Sequence, residues 1–376
     1  MTIKVLHINR NYIFNKLHQS LIDCLDREQL LQNSVFVPTS KEQNVDCQIN
    51  ENVVVSQCFR LRDRFFYRLK QLKIYRSLKK SFTIGDYDII HAYTLFTDGG
   101  CAYRIKKKYG KPFVVAIRNT DINDFFKKLP FLRGYGKRIL KEAEAIFFLS
   151  KPYMETLVDN YLTDVEKKEL CHKMYLIPNG VDPFWLINRF HRGADDVDHL
   201  STRLRVIYAG RIDFNKNIES TAKAIETLIN ENMLVEFTVI GKIECNDVYE
   251  RLKQFPFIKY KPEMSKEKLI EEYRKNDIFV MPSFTETFGI TYVEAMSQGL
   301  PVIYSEKQGF DEQFEEGVVG YHVNPHDIND IARKIHLIVN NYQCISNNCS
   351  LRCDDYNWIN ISKKYKRIYT SIFEKG

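Results

Sequence analysis

The stretch SFTETFGITYVEAMSQGLPVIYS, residues 283–305, decides the fold. An apolar run over 277–281 precedes it and has the character of a buried strand. The stretch then predicts a loop as far as Phe288, a helix from Gly289, and a second apolar strand over 301–304. A strand, a helix and a strand joined by short loops are typical of an open parallel sheet. Ligands bind such sheets at the carboxyl ends of the strands, so the loop is a predicted binding loop.

The same alternation extends outward through both halves of the chain. In the N-terminal half, an apolar strand over 4–8 is followed by helical spacing over 16–31 and a strand over 34–37. In the C-terminal half, a strand over 204–209 is followed by a helical segment over 218–230. Two blocks of this kind predict an α/β protein with two Rossmann-like parallel-sheet domains.

The domain boundaries follow from where this pattern weakens. We expect a first domain over 1–182 and a second over 204–357. Residues 183–203 are polar, charged and weakly patterned, which predicts a linker. An amphipathic helical segment over about 358–376 is predicted to pack back on the first domain.

Two glutamates, Glu286 and Glu294, flank the predicted helix start at Gly289. A helix start offers N–H groups without partners and the positive end of the helix dipole, which together attract an anion. Carboxylates beside an anion site can accept hydrogen bonds from hydroxyl groups, one from a ribose and one from a sugar. The arrangement favours a nucleotide-sugar, and the alternative is that both glutamates are ordinary surface charges.

A second segment places cations after a predicted strand. Gly210 and Arg211 end the strand over 204–209, and Lys216 follows five residues after the arginine. Arginine and lysine at a strand end can neutralise a diphosphate leaving group. The alternative is a solvated basic turn.

Together these segments resemble the retaining GT-B glycosyltransferases of family 4. The resemblance covers roughly residues 175–330, whereas the N-terminal half matches in its rhythm of strands and helices only. It implies a GT-B architecture with an inter-domain cleft, and no requirement for a metal. The motifs that carry it are Ile177–Asp182, Ala209–Arg211 with Lys216, Pro282–Gly289, Glu294–Ile303, Gly309, Glu312, Gly320 and Pro325.

The resemblance also implies roles for individual residues. Arg211 and Lys216 would hold the donor diphosphate, and Glu286 would contact the transferred sugar. Glu294 would bind the ribose, and Gly210 would keep its loop tight. Backbone amides facing the donor would come from Thr287, Phe288, Gly289 and Ile290.

The N-terminal half departs from the family pattern in two loops. The loop over 9–14 lacks the usual glycine pair, so the side chains of Asn9 and Arg10 are candidates for contacts at the acceptor or cleft side. After the strand over 113–117, Arg118 stands where many members have histidine. An arginine can stabilise negative charge but cannot act as a base. Asp121 is either such a base or, as we favour, a helix N-cap.

The N-terminal half is also the basic half. Residues 1–182 contain 30 Lys and Arg against 20 Asp and Glu, and nine of the 21 residues over 60–80 are basic. A second basic-aromatic segment lies over 125–133. Such segments favour contact with an anionic membrane surface; the alternatives are a helix packed on its own domain and, without any accompanying motif, a nucleic-acid patch. The apolar residues at helical spacing in the first segment are Phe65, Leu69, Leu72 and Tyr75.

Other features limit the class of protein. No apolar run reaches the length of a membrane span and the N-terminus reads as a strand, which predicts a cytoplasmic protein, peripheral on the inner face of the membrane if it binds lipid. The clustered cysteines Cys344, Cys349 and Cys353 do not have zinc-site spacing, so we expect neither a metal nor a cofactor.

The sequence therefore predicts a retaining glycosyltransferase that uses a nucleotide-diphosphate sugar. The first domain would bind a glycan or lipid-linked acceptor, in cell-surface polysaccharide or glycolipid synthesis. Nucleic acid is not an expected partner. Two alternatives are a nucleotide-sugar epimerase on the same fold and a non-catalytic membrane-binding protein.

Overall fold

The computed structural model describes residues 2–14, 16–43, 52–193, 200 and 203–375. The chain forms two compact units. Unit 1 contains residues 1–149, 153–180 and 358–376, and unit 2 contains residues 150–152 and 181–357.

Unit 1 is built on a seven-stranded sheet in which every neighbouring pair is parallel. The strand order is β3-β2-β1-β4-β5-β6-β7, an arrangement typical of Rossmann-like sheets. Its strands are β1 Ile3–Ile8, β2 Leu31–Ser40, β3 Val53–Phe59, β4 Ile89–Ala92, β5 Phe113–Ile117, β6 Ala145–Phe148 and β7 Met174–Leu176. The helices between them are α1 Lys16–Asp26, α2 Tyr67–Ser81, α3 Gly99–Tyr109, α4 Pro130–Glu142, α5 Lys151–Tyr161 and α6 Asp164–Leu170.

Unit 2 has a six-stranded parallel sheet in the order β10-β9-β8-β11-β12-β13. Its strands are β8 Leu204–Ala209, β9 Val235–Ile240, β10 Ile258–Lys261, β11 Ile278–Val280, β12 Val302–Ser305 and β13 Gly320–Val323. Its helices are α7 Pro183–Ile187, α8 Ile218–Asn230, α9 Asn246–Leu252, α10 Lys266–Arg274, α11 Ile290–Met296, α12 Ile328–Asn340 and α13 Tyr342–Arg352. The predicted pair of Rossmann-like parallel-sheet domains is therefore confirmed.

The last helix, α14 over Trp358–Phe373, belongs to unit 1. One of its faces buries Trp358, Ile361, Tyr365 and Tyr369 in a core that also contains residues of α1 and β1. A Cβ atom on Gly180 would lie 2.3 Å from the Trp358 ring, so only glycine fits beneath this ring.

The structure differs from the predicted linker at its start. Residues 183–187 form α7, and the Trp185 and Arg192 side chains are buried in unit 2. Arg192 donates hydrogen bonds to the carbonyl oxygens of Tyr273 and Asn276, at 3.0 and 2.6 Å. Arg192 in this segment therefore satisfies buried carbonyls and does not face solvent. Within the predicted linker, residues 194–199 and 201–202 lie outside the described part of the chain.

The predicted helix over 16–31 is also too long. Helix α1 ends at Asp26, and Leu30 has the left-handed φ of 88°. The Ile3 amide donates a 2.7 Å hydrogen bond to the Leu30 carbonyl, which holds this segment beside the start of β1. Strand β2 then begins at Leu31.

Candidate functional site

In unit 2, two loops at the carboxyl edge of the sheet are fastened to each other. They follow β8 and β11, the two strands after which the sequence predicts binding loops. The Asn215 side chain donates to the Thr285 carbonyl at 2.9 Å and accepts from the Thr285 amide at 3.0 Å. Asn217, in the left-handed conformation with φ 53°, donates to the Pro282 and Pro325 carbonyls at 3.0 and 2.7 Å. The two asparagines therefore fix the relative positions of the two loops.

This arrangement brings Lys216 and Glu286 into contact. The Lys216 Nζ lies 2.6 Å from Glu286 Oε2, and each side chain is only 14% exposed. The Asp213 carboxylate accepts the Lys216 amide at 3.0 Å and so holds the turn from which the lysine extends. The sequence treated the two residues as contacts to different parts of a ligand, and the structure places them together as a half-buried ion pair.

Arg211 lies beside this pair but is held much less tightly. Its guanidinium side chain is 64% exposed and approaches Asp213 at 3.6 Å. The buried Tyr208 hydroxyl donates to the Arg211 carbonyl at 2.6 Å and fixes the backbone instead. The Arg211 backbone is thus held by a buried hydroxyl, while its guanidinium group is exposed to solvent.

Gly210 and Gly241 pack against each other at the ends of neighbouring strands. A Cβ atom at Gly241 would lie 1.7 Å from the Gly210 carbonyl oxygen. The Gly210 amide donates to the Ile240 carbonyl at 2.9 Å. The close approach of the two strand ends therefore requires a glycine at position 241.

The loop before α11 is closed by contacts from residues after β12. The Gly309 amide donates to the Glu286 carbonyl at 2.9 Å, and the Glu286 amide donates to the Gln308 side chain at 3.0 Å. A Cβ atom on Gly309 would lie 2.1 Å from the Thr287 carbonyl oxygen. Gln308 is a site residue that sequence reasoning missed, since a lone glutamine between two strands gives no pattern to recognise.

The four residues whose backbone amides are expected to face a donor differ in their surroundings. The Thr287 amide donates to its neighbour Glu286 Oε1 at 3.1 Å, so it already has an acceptor within the loop. Phe288 is 3% exposed, and its ring packs 5.6 Å from the Tyr356 ring. Gly289 has the left-handed φ of 79° and precedes Ile290, the first residue of α11. The side chain of Phe288 is thus a core contact that anchors the start of the helix.

Glu294 sits in a different environment from Glu286. Burial, together with the nearby Asp182 carboxylate, raises the pKa of its carboxyl group from 4.5 to about 7. A hydrogen bond from the Trp185 indole and the charge of Lys266 oppose this change. Lys266 is itself paired with Asp182 at 2.6 Å. These three contacts were missed because Asp182 ends the predicted first domain, Trp185 lies in the predicted linker and Lys266 begins α10, all far from Glu294 in the sequence.

In unit 1, Asp121 is an anchor for the backbone. It begins a π-helical turn over Asp121–Phe126, and its carboxylate accepts the amides of Leu95, Phe96 and Arg118 at 3.0–3.1 Å. These donors precede it in the chain, so the expected N-cap is wrong. Burial raises its pKa to about 6, against the effect of the three hydrogen bonds. With 1% of its surface exposed, it is not placed as a base for an external ligand.

The other three acceptor-side candidates also lie at the carboxyl edge of this sheet. Asn9 is fully buried, with Oδ1 3.0 Å from His18 Nδ1 and 3.1 Å from the Asn11 amide, so it is not a side chain that an acceptor can reach. Arg10 lies over the Phe59 ring with its guanidinium carbon 5.4 Å from the ring centre. Arg118 is half-buried and donates from Nε to the Tyr93 carbonyl at 3.2 Å.

A buried histidine cluster supports this edge and was not foreseen. His7 bonds to Asn33 at 2.8 Å, and His91 stacks on Tyr93 with ring centres 4.2 Å apart. Burial lowers the pKa of His7 to about 4, and burial together with the charge of Arg118 lowers the pKa of His18 to about 3. The charge of Arg118 also lowers the pKa of His91, so at least two of these buried imidazoles lie near the arginine. Isolated histidines within apolar strands carry no sequence signal for such a cluster.

Two further findings concern metals and membranes. Among the described residues, no group of three or more His, Cys, Asp or Glu side chains is arranged to hold a metal ion. Within the same residues, none of the helices combines the length and apolarity needed to cross a bilayer.

Known proteins resemble the chain in both of its units. Residues 21–184 match the family model "Glycosyltransferase Family 4", and residues 195–351 match "Glycosyl transferases group 1". A D-inositol 3-phosphate glycosyltransferase of Mycobacterium sp. (strain KMS) is 25% identical over 264 residues, which are 67% of this chain. The matched region spans only 58% of that relative.

Solved structures of other proteins share the fold over the whole chain. Sucrose-phosphate synthase from Thermosynechococcus elongatus superposes with a TM-score of 0.75 at 18% identity, covering 100% of both chains. An Anabaena protein in complex with UDP and glucose gives a TM-score of 0.68 at 15% identity, covering 98% of this chain and 100% of the other. The predicted GT-B fold is confirmed, and through its two domains the chain belongs to the family 4 and group 1 glycosyltransferases.

Proposed function

We propose that this protein transfers a sugar from a nucleotide-diphosphate sugar to an acceptor, with retention of the anomeric configuration. The observation that carries the proposal is the contact between Lys216 and Glu286, 2.6 Å apart at the carboxyl edge of the unit 2 sheet. A cation and a carboxylate held together on interlocked loops match the two chemical parts of such a donor, an anionic diphosphate and a hydroxyl-rich sugar.

Donor binding would exchange the partners of this ion pair. The diphosphate would take Lys216 and the exposed Arg211, while sugar hydroxyls would donate to the Glu286 carboxylate. Each buried charge then gains a new partner as it loses the old one, so no charge is left unpaired in the half-buried site. Glu294 would accept hydrogen bonds from the ribose hydroxyls, and Gly289 would permit close approach of the donor to the backbone.

The proposed reaction needs positioning and charge stabilisation from the protein. The bond between the anomeric carbon and the diphosphate oxygen breaks, and the acceptor oxygen bonds to the same face of the sugar. The acceptor proton passes to the departing phosphate oxygen. Arg211 and Lys216 stabilise the charge that develops on the diphosphate, a contribution that is often the largest single one in catalysis.

For the donor nucleotide and the acceptor, we propose a chemical class and not a single compound. The Anabaena protein of the same fold is in complex with UDP and glucose, which supports a nucleotide-sugar donor and makes UDP the first nucleotide to test. We propose a glycan or lipid-linked acceptor bound by unit 1, in polysaccharide or glycolipid synthesis on the cytoplasmic face of a membrane.

The first experiment measures thermal stabilisation by UDP, GDP, ADP and CMP. A ligand at about 100 times its dissociation constant adds about 2.7 kcal/mol to the unfolding free energy, which is easily detected. We expect one diphosphate to stabilise the wild type and to lose its effect with Glu294→Ala. The matched control is Glu226→Ala, which removes an exposed glutamate from α8 in the same unit.

The same protein then allows the reaction class to be tested. With the stabilising nucleotide identified, its sugar conjugates are incubated with and without glycan acceptors. Transfer to an acceptor supports the proposal, whereas isomerisation of the sugar without any acceptor would point to an epimerase. If none of the four nucleotides stabilises the wild type, the assignment of the donor site is wrong.

A further inference from the structure

Unit 1 exposes large apolar side chains at the start of α2 and of α4. Phe66 is 66% exposed, Leu69 is 45% exposed and Phe131 is 76% exposed. Of the stripe that the sequence indicated, Leu69 is exposed, whereas Tyr75 is buried with Ile74 and Leu78 in the core of its own unit; the Phe65 side chain lies outside the described part of the chain. Only the first turn of the helix therefore presents apolar groups to solvent.

The two exposed phenylalanines flank one packing junction. Tyr67, the neighbour of Phe66, places its ring 6.4 Å from Phe125 and 5.9 Å from Tyr135. Phe131 lies on α4 one helical turn before Tyr135. The Tyr67 hydroxyl also donates to the Phe96 carbonyl at 2.7 Å, which fixes the junction. The exposed rings are thus carried on a rigid base.

The same segments also carry exposed cations. Arg62, Arg68 and Lys127 are exposed, and none of the ion pairs between described residues includes them. The acidic groups nearby are already neutralised, since Asp63 pairs with Lys73 at 2.7 Å and Asp124 pairs with Lys128 at 2.6 Å. We call this set the basic-apolar surface; it comprises Arg62, Phe66, Arg68, Leu69, Lys127 and Phe131.

We infer that the basic-apolar surface docks on an anionic lipid bilayer. Phe66, Leu69 and Phe131 enter the interface between headgroups and acyl chains, while Arg62, Arg68 and Lys127 lie at the level of the anionic headgroups. Aromatic and aliphatic side chains rimmed by basic residues are the composition that binds at this depth, and each cation near such a surface adds attraction. This inference concerns unit 1 and does not depend on the proposed glycosyl transfer.

A bilayer fits this surface better than a nucleic acid does. Single-stranded nucleic acids also use basic grooves with aromatic rings, on which bases stack. Here Leu69, and Leu61 with 44% exposure in the turn before α2, contribute aliphatic area that cannot stack on a base. The apolar side chains of the basic-apolar surface are 45–76% exposed, which suits insertion into the lipid interface.

Co-sedimentation with vesicles tests the inference without any nucleotide present. The full chain is mixed with vesicles of phosphatidylcholine, or of phosphatidylcholine and phosphatidylglycerol in equal amounts. We expect the wild type to bind the anionic vesicles, more weakly at high salt, and to bind neutral vesicles much less. Arg62→Gln/Arg68→Gln should weaken binding about fivefold for each charge, or roughly thirtyfold together. The matched control Lys363→Gln/Lys364→Gln removes two exposed cations of α14 in the same unit and should leave binding unchanged.

The apolar part of the surface is tested separately. Phe66→Ala/Phe131→Ala should weaken binding by about tenfold or more. Its control, Val165→Ala, removes apolar area from a 74% exposed residue elsewhere in unit 1. Unchanged melting temperatures would establish that the variants remain folded. The inference would be overturned if the wild type bound neutral and anionic vesicles equally, or bound single-stranded DNA but not vesicles. It would also be overturned if Arg62→Gln/Arg68→Gln or Phe66→Ala/Phe131→Ala bound the anionic vesicles as strongly as the wild type.

Discussion

Glu294 should make the stability of the protein depend on pH in a way that a single substitution removes. Burial and the adjacent Asp182 raise the pKa of its carboxyl group from 4.5 to about 7 in the folded chain. The folded state therefore holds a proton between these pH values that the unfolded state has released. By linkage, the unfolding free energy has its full contribution from Glu294 below pH 4.5 and loses it as the pH rises through about 7.

The size of the loss follows from the same two values. Each unit of pKa difference corresponds to about 1.36 kcal/mol, so the rise from 4.5 to about 7 corresponds to about 3 kcal/mol. Glu294→Gln keeps the shape of the side chain but cannot ionise. The wild type should therefore lose stability relative to Glu294→Gln as the pH rises from 4.5 to 8. The unfolding free energy of the variant minus that of the wild type should increase by about 3 kcal/mol over this range.

Urea unfolding of both proteins at several pH values measures this difference. Other buried acids titrate too, among them Asp98, whose pKa burial raises to about 7, but their contributions cancel in the difference. Glu226→Gln, at an exposed position of α8, should show no such growth. A difference between Glu294→Gln and wild type that stays flat across this range would refute the environment assigned to Glu294.

Three further predictions concern other parts of the two units. Lys216→Ala should lower turnover about a hundredfold to a thousandfold in a glycosyl-transfer assay, because it removes a charge-stabilising donor, whereas Lys223→Ala, at an exposed site on α8, should not. Gly241→Ala should cost at least about 3 kcal/mol of unfolding free energy in urea, since its Cβ atom would lie 1.7 Å from the Gly210 carbonyl oxygen; a cost below 1 kcal/mol would mean that the strand ends are not packed as described. Asp121→Ala should lower the unfolding free energy by about 3 kcal/mol, measured in the same way, because three backbone amides lose their acceptor; an unchanged urea midpoint would contradict the anchoring role.

The sequence predicted the sheets well because their strands are buried on both faces. All five residues of β5 are buried, so the run FVVAI needed no other information to be identified as a strand. Element ends were predicted less well. The apolar Leu30 and Leu31 continue the helical spacing of α1, but a hydrogen bond from the Ile3 amide holds the Leu30 carbonyl beside the start of β1. Such long-range pairing cannot be read from local spacing.

The candidate site divides in the same way. Arg211, Lys216 and Glu286 could be proposed as candidates from the sequence because they follow strands whose carboxyl ends lie at one edge of a sheet, and Glu294 from its spacing after them. Their partners could not be found, since those contacts come from residues far apart in sequence. The ion pair between Lys216 and Glu286 depends on loops joined by tertiary hydrogen bonds, and the Trp185 indole reaches Glu294 from a helix about a hundred residues earlier in the chain.

The acceptor-side candidates of unit 1 bear on which group takes the proton in the proposed reaction. Asn9 and Asp121 are buried, and the Asp121 carboxylate is occupied by three amides. Arg10 and Arg118 are cations that cannot accept a proton at any accessible pH. These four groups therefore supply positive charge and a rigid backbone but no base that an acceptor could reach. That is the composition expected if a phosphate oxygen of the donor removes the acceptor proton, because unit 1 then has only to position the acceptor and to balance negative charge.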